Sequence, residues 1–271
     1  MHSRAQIIAT IGPACMDVSI LSALIAHEMD VARLNFAWGD VDEHTKALRA
    51  IREAEKVSGR KIVVILDVPG PRIQNTGSHT YDTHALSSLT EEDKRSIAFG
   101  VEHRVDYIAQ SFVGNATDIA RCREVIRACG GTQRIIAKIE RKIALESLDE
   151  IIASADAVMV ARGDLGSELP LEQIPFIQEK IIRSAKTAGK PVITATQMLL
   201  SMVKEQAPSR AEVTDVAYAI LQGSDAVMLS EETAIGKYPI ETVAMMEKIV
   251  LEAERHMGRK ETITPLVSIH V

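Results

Sequence analysis

Short apolar runs alternate along this chain with longer amphipathic stretches. The runs cover Gln6 to Ile11, Val31 to Phe36, Ile62 to Asp67, Tyr107 to Phe112, Arg134 to Glu140, Ala157 to Ala161, Pro191 to Thr196 and Ala226 to Ser230. Between them, helical patterns span Ser19 to Ala26, Glu43 to Val57, Ala116 to Ala128, Leu145 to Ile152, Gln173 to Ala188, Glu212 to Gln222 and Pro239 to Glu254. Strands alternating with helices predict a parallel sheet covered on both faces, and eight such units predict closure into a single (β/α)8 TIM barrel of the α/β class. An open, doubly wound sheet is the alternative. The barrel is expected over residues 1–256, with a short C-terminal tail over 257–271. The Thr-, Ser-, His- and Gly-rich stretch 74–89 reads as a loop at the barrel mouth.

A length of 271 residues suits one barrel, which needs about 250. Only 3% of residues are aromatic, so the core must be aliphatic, as barrel interiors are. A net charge of -6 and a pI near 5.8 offer nucleic acid or anionic membrane no overall attraction, and neither is expected as a partner. No run reaches the roughly 18 apolar residues of a membrane span, and the start has no signal-peptide pattern, so a cytoplasmic location is expected. Cys15, Cys122 and Cys129 have no metal-ligand spacing and are expected as reduced thiols.

In a barrel, chemistry sits at the C-terminal strand ends, where the βα loops converge. Polar residues gather at those ends here: Arg33 and Asn35, Asp67, Ser111, Lys138 and Glu140, Arg162 and Asp164, Thr196, then Ser230 with Glu231 and Glu232. Lys138 and Glu140 lie two apart on one strand and point to the same side; they are a functional pair or a structural ion pair. Glu140 and Asp164, on adjacent strands, are candidate carboxylate ligands of a hard divalent ion. Gly163 lets backbone amides approach an anionic ligand closely.

Seven ordered blocks carry a resemblance: ATIGP from Ala9, VARLNF from Val31, AKIE from Ala137, VARGDLG from Val160, GKPVITATQML from Gly189, SRAE from Ser209 and MLSEETA from Met228. Together they resemble the pyruvate kinase family, over about Gln6 to Glu254. The resemblance implies a phosphoenolpyruvate/pyruvate-binding barrel that holds Mg2+ or Mn2+ through Glu140 and Asp164. It implies that Ala161 and the amides of Gly163 and Asp164 bind substrate, together with Thr196, Asn35 and Ser111. It further implies that Lys138 stabilises developing negative charge, that Arg33 contacts phosphoryl oxygens, and that Thr196, Ser230 and Glu232 serve a proton relay. The same resemblance implies that Asn35 and Asp67 contribute to a weakened monovalent-cation site, and Arg162 and Arg210 to a homo-oligomer contact.

The chain also departs from the family pattern. The loop 74–89 stands where the family has a lid domain, and the family's C-terminal domain has no counterpart. Pro69 and Gln74 replace a lysine and an arginine, Ala37 and Trp38 replace Ser and His, Gly114 and Asn115 replace a basic pair, and Glu231 replaces a glycine. Phosphoryl transfer depends on positioning and charge neutralisation, whereas enolate chemistry needs only a divalent ion, a lysine and a proton donor. These losses favour a metal-dependent carbon–carbon lyase acting on a small 2-oxo acid, either an aldolase or an oxaloacetate-type decarboxylase. The alternatives are a phosphoenolpyruvate-dependent phosphotransferase needing a partner and a non-catalytic metabolite-binding barrel.

Other residues have plainer readings. His79, Tyr81 and His84 are expected as solvated loop residues, although a histidine there would titrate near neutrality. Trp38 either walls a new pocket or fills vacated space. Glu231 is an added base or faces solvent. His44 is a helix surface or packing residue, and Thr90 caps a helix opened by Glu91, Glu92 and Asp93.

Overall fold

A computed structural model describes residues 2–75, 78–82, 88–257 and 263–266, with the backbone alone for 74, 75 and 78–80. The elements run β1 (Gln6–Thr10), α1 (Val18–Ala26), β2 (Met29–Asn35), α2 (Val41–Ser58), β3 (Val63–Asp67), β4 (Arg72–Asn75), β5 (Ser78–Tyr81) and α3 (Glu91–Glu102). They continue β6 (Tyr107–Gln110), α4 (Ala116–Ala128), β7 (Arg134–Ile139), α5 (Leu148–Ser154), β8 (Ala157–Ala161), α6 (Arg162–Glu168) and α7 (Ile174–Thr187). Last come β9 (Val192–Ala195), α8 (Arg210–Leu221), β10 (Ala226–Leu229), α9 (Glu231–Ala234) and α10 (Pro239–His256).

Eight of these strands form a closed parallel barrel in the order β1-β10-β9-β8-β7-β6-β3-β2. The fold is therefore the expected (β/α)8 barrel, not the open sheet. Every residue of β1, β3 and β8 is buried, because helices cover one side of a strand and core side chains fill the other. Residue contacts divide the chain into two compact units. One comprises Met1–Leu34, Gly39–Val64 and Pro191–Val271, the other Asn35–Trp38 and Ile65–Lys190.

Helix starts are written locally. Asp40 with Glu43, Thr90 with Asp93, Asn115 with Asp118 and Ser209 with Glu212 each form a reciprocal capping box, satisfying amide donors that a helix leaves unpaired at its start. The expected Thr90 cap is thus present. The SRAE block serves the same purpose, and Glu212 also accepts from the Ser201 amide and hydroxyl. Asn115, one of the departures from the family pattern, is the cap of α4. In α2, His44, Ala47, Leu48, Ile51 and Ala54 form the buried stripe, so His44 is a packing residue.

The stretch 74–89 differs from the loop expected. β4 and β5 pair antiparallel with Arg72 opposite Tyr81, forming a hairpin that short segments rich in Thr and Ser are able to build. Residues 76–77 and 83–87, including His84, lie outside the described residues, and His79 is described in backbone only. Of the tail, the structure describes 257 and 263–266: Leu266 is buried, and its amide donates to the Gln6 side chain. No helix among the described residues is long and apolar enough to cross a membrane. All three cysteines are free; Cys15 and Cys122 are buried and Cys129 is exposed.

Candidate active site

The strand ends of β3, β6 and β7 deliver one connected polar cluster. Lys138 Nζ lies 3.0 Å from Asp67 Oδ1 and 3.3 Å from Glu140 Oε2, and it donates at 2.6 Å to Ser111 Oγ. The Ser111 hydroxyl in turn donates to the Val68 carbonyl at 2.7 Å. All four side chains are buried. The spacing of Lys138 and Glu140 put both on one side of β7, as expected; their meeting with Asp67 required β3, β6 and β7 to pair in register.

Glu140 is held asymmetrically. Its Oε1 accepts the Phe112 amide at 2.6 Å. Its Oε2 is buried with no hydrogen-bond partner, leaving only the ion-pair contact with Lys138. Burial pushes the Glu140 carboxyl well above the usual range; Lys138 opposes this, and Asp164 and Asp67 reinforce it. One ammonium thus faces several carboxylates, and an added cation would relieve the excess. Among the described residues no cluster of three or more His, Cys, Asp or Glu side chains forms a cage.

Asp164 and Gly163 lie in the first turn of α6, for which Ala161 is the N-cap. The segment is helical, which aims backbone amides along one axis. The Arg162 guanidinium donates to Gln178 Oε1. Asn35 Oδ1 accepts the Ala37 amide, and the Phe36 amide donates to the Asp67 carbonyl, so these two monovalent-cation candidates are neighbours.

The other unit carries the remaining candidates. Arg33 is buried and donates to Thr10 Oγ1, whose hydroxyl donates to the Leu229 carbonyl. Thr196 has φ +71° and Gln197 φ +54°, uncommon for any non-glycine residue and strained for a β-branched one. Thr196 Oγ1 donates to the Ala195 carbonyl. Glu232 is fully buried, with Oε1 accepting the Leu199 amide and Oε2 the Ser230 amide. Its carboxyl lies above the usual range because burial outweighs those hydrogen bonds. Both oxygens hold backbone, so Glu232 fixes the ends of β9 and β10. Ser230 Oγ is buried with no hydrogen-bond partner.

Three plainer expectations resolve. Trp38 is 60% exposed and does not fill vacated space. Glu231 is exposed, the solvent-facing alternative. Tyr81 is not a solvated loop residue: its ring packs 5.3 Å from Phe112 and carries the Arg141 guanidinium at 3.7 Å. Arg141 and Arg72 were absent from the sequence-derived candidates, although Arg141 directly follows the AKIE block and Arg72 stands between Pro69 and Gln74, two of the departures from the family pattern.

The model of the pyruvate kinase barrel domain matches residues 2–84 and 82–243. The chain belongs to the pyruvate kinase family. Among its relatives, a pyruvate kinase of Thermococcus litoralis is 34% identical over 93% of this chain and 70% of its own length. One from Geobacillus stearothermophilus is 35% identical over 97% and 59%, and one from Agrobacterium vitis is 36% identical over 94% and 70%. The chain thus spans between 59% and 70% of these pyruvate kinases.

This finding overturns the expectation of a lyase, whether aldolase or oxaloacetate-type decarboxylase. The relatives carry the name of a transferase, and the likeness covers more than nine-tenths of the chain. The physical flaw was one of discrimination. A divalent ion, a lysine and a proton donor serve an enolate in phosphotransfer and in lysis alike, so their retention did not separate the two.

Proposed function

We propose that this chain catalyses phosphoryl transfer from phosphoenolpyruvate to a nucleoside diphosphate, leaving pyruvate. The observation that carries this reading is the buried Lys138, fixed by Asp67 and Ser111 beside the partly unsatisfied Glu140 carboxylate. A cation held rigidly in a desolvated site stabilises charge that develops on a transferring phosphoryl or enolate oxygen, at no reorganisation cost.

Glu140 and Asp164 are the residues that would hold Mg2+ or Mn2+, and Glu140 Oε2 fits the role as a buried oxygen without a hydrogen bond. When bound, such an ion supplies Lewis-acid neutralisation of substrate oxygens. In the same reading the amides of Gly163 and Asp164 bind the substrate carboxylate, with Ala161 and Ser111 lining that place. Arg33 contacts the phosphoryl group, and Asn35 with Asp67 holds a monovalent cation. Loss of the phosphoryl group leaves enolpyruvate, which takes a proton at its methylene carbon; Thr196 and Ser230 serve that relay, with Glu232 positioning Ser230. Homo-oligomerisation involving Arg162 and Arg210, and a cytoplasmic setting, belong to this proposal.

The test mixes the chain with phosphoenolpyruvate, ADP, Mg2+ and K+, and measures pyruvate and ATP separately. Equal amounts of both, lost in Lys138→Met, are expected. Pyruvate without ATP, or neither product, would overturn the reading.

A further inference from the structure

The sequence lacks cations at Pro69, Gln74 and Gly114, yet the structure holds two guanidinium groups in the same neighbourhood. Arg141 lies with its guanidinium carbon 3.7 Å from the Tyr81 ring centroid, and Arg72 lies 5.8 Å from that of Phe112. The two rings are themselves 5.3 Å apart. Phe112 joins this group to the candidate active site, because its amide holds Glu140 Oε1.

Neither arginine is neutralised by a carboxylate among the described residues. Arg72 Nε and Nη2 both donate to the Pro69 carbonyl, a neutral acceptor. The Arg141 side chain makes no hydrogen bond or ion pair among the described residues, and its Nε is buried without a partner. Nearby acids are committed elsewhere: Asp118 Oδ2 accepts the Gly114 and Asn115 amides, and Glu168 Oε2 accepts the Lys142 amide. A guanidinium presents five donors in a rigid fork suited to phosphate, and a cation stacked on an aromatic face is already oriented.

Gly114 explains how Arg141 is accommodated. A Cβ at position 114 would come within 3.3 Å of Arg141 Nη1 and 3.5 Å of Asp118 Oδ2. Glycine therefore leaves room for the guanidinium, and a cation reaching this place comes from position 141 instead of 114.

We infer that Arg141, supported by Tyr81 and accompanied by Arg72, binds the phosphate chain of the nucleoside diphosphate acceptor. This assignment rests on the phosphotransferase reading above and adds to it the residues that receive the second substrate. Arg141 contacts the substrate's phosphates; Tyr81 is a positioning residue that fixes the plane of the fork.

Calorimetric titration of the whole chain with ADP, and separately with inorganic tripolyphosphate, tests it. Arg141→Met should weaken both at least about tenfold, the loss expected for charge-assisted hydrogen bonds. Arg141→Lys should weaken them less, and Gly114→Arg combined with Arg141→Asn should recover part of the affinity. Should the methionine variant fail to fold, Tyr81→Leu provides the readout, with a smaller loss for both ligands. Equal affinities in the unaltered chain and in a folded Arg141→Met variant would overturn the assignment and leave the phosphotransferase reading standing. Failure of the unaltered chain to make ATP from phosphoenolpyruvate and ADP removes both.

Discussion

The Phe112 amide donates a 2.6 Å hydrogen bond to Glu140 Oε1, while Glu140 Oε2 is buried without one. Phe112 has φ +54°, and this bend turns its amide toward β7. The adjoining Gly70, at φ +68°, has no room for a side chain, since a Cβ would meet the Phe112 ring at 2.7 Å. The backbone thus fixes one carboxylate oxygen and leaves the other to a cation.

Glu140→Gln is therefore expected to keep the Phe112 contact and lose the divalent ion. Mn2+ affinity, followed by paramagnetic resonance, should fall by more than the roughly 10–100-fold that loss of an outer-shell partner costs. Unchanged Mn2+ binding would remove Glu140 from the ligand set.

Lys138→Met should unfold more easily as well as lose activity. It leaves Asp67 and Glu140 buried without their ammonium partner, a change that costs about 3–5 kcal/mol. Denaturant titration checks this; a stability within about 1 kcal/mol of the unaltered chain would show that water already reaches these carboxylates.

Thr196 provides a separation of strain from chemistry. Its φ of +71° costs on the order of 1–3 kcal/mol, and glycine removes that strain at an entropic cost of about 0.5–1 kcal/mol. Thr196→Gly should be at least as stable as Thr196→Ala, which keeps the Cβ, and both should lose turnover through loss of the hydroxyl. A glycine variant less stable than the alanine one would contradict the strain argument.

Asp30 predicts a pH dependence away from the site. Burial pushes its carboxyl up to about 7, against opposing effects of the Ile7 amide and Arg60. Between the ordinary aspartate value of 3.8 and about 7 the folded state binds the proton more tightly than the unfolded state, so this residue's contribution to stability falls as pH rises through that window. Asp30→Asn should flatten the stability profile there, measured by urea unfolding at several pH values. An unaltered slope would place the effect on other groups.

The local pattern of the sequence determined the eight barrel strands, seven of the helices and the Thr90 cap to within a few residues, because burial periodicity and capping act over one turn or one strand. The motif blocks also determined which side chains stand at the strand ends. Stretch 74–89 resisted, since a hairpin with few apolar residues leaves no periodic trace. Tertiary structure alone decided which polar groups meet. Lys138 and Asp67 are 71 residues apart, and Phe112 and Glu140 are 28 apart, so both contacts depend on parallel register and not on neighbouring sequence. Likewise, Arg141 emerged as a candidate only once the chain had folded Tyr81 beneath it and left Gly114 beside it, because a charge's role depends on what surrounds it in space.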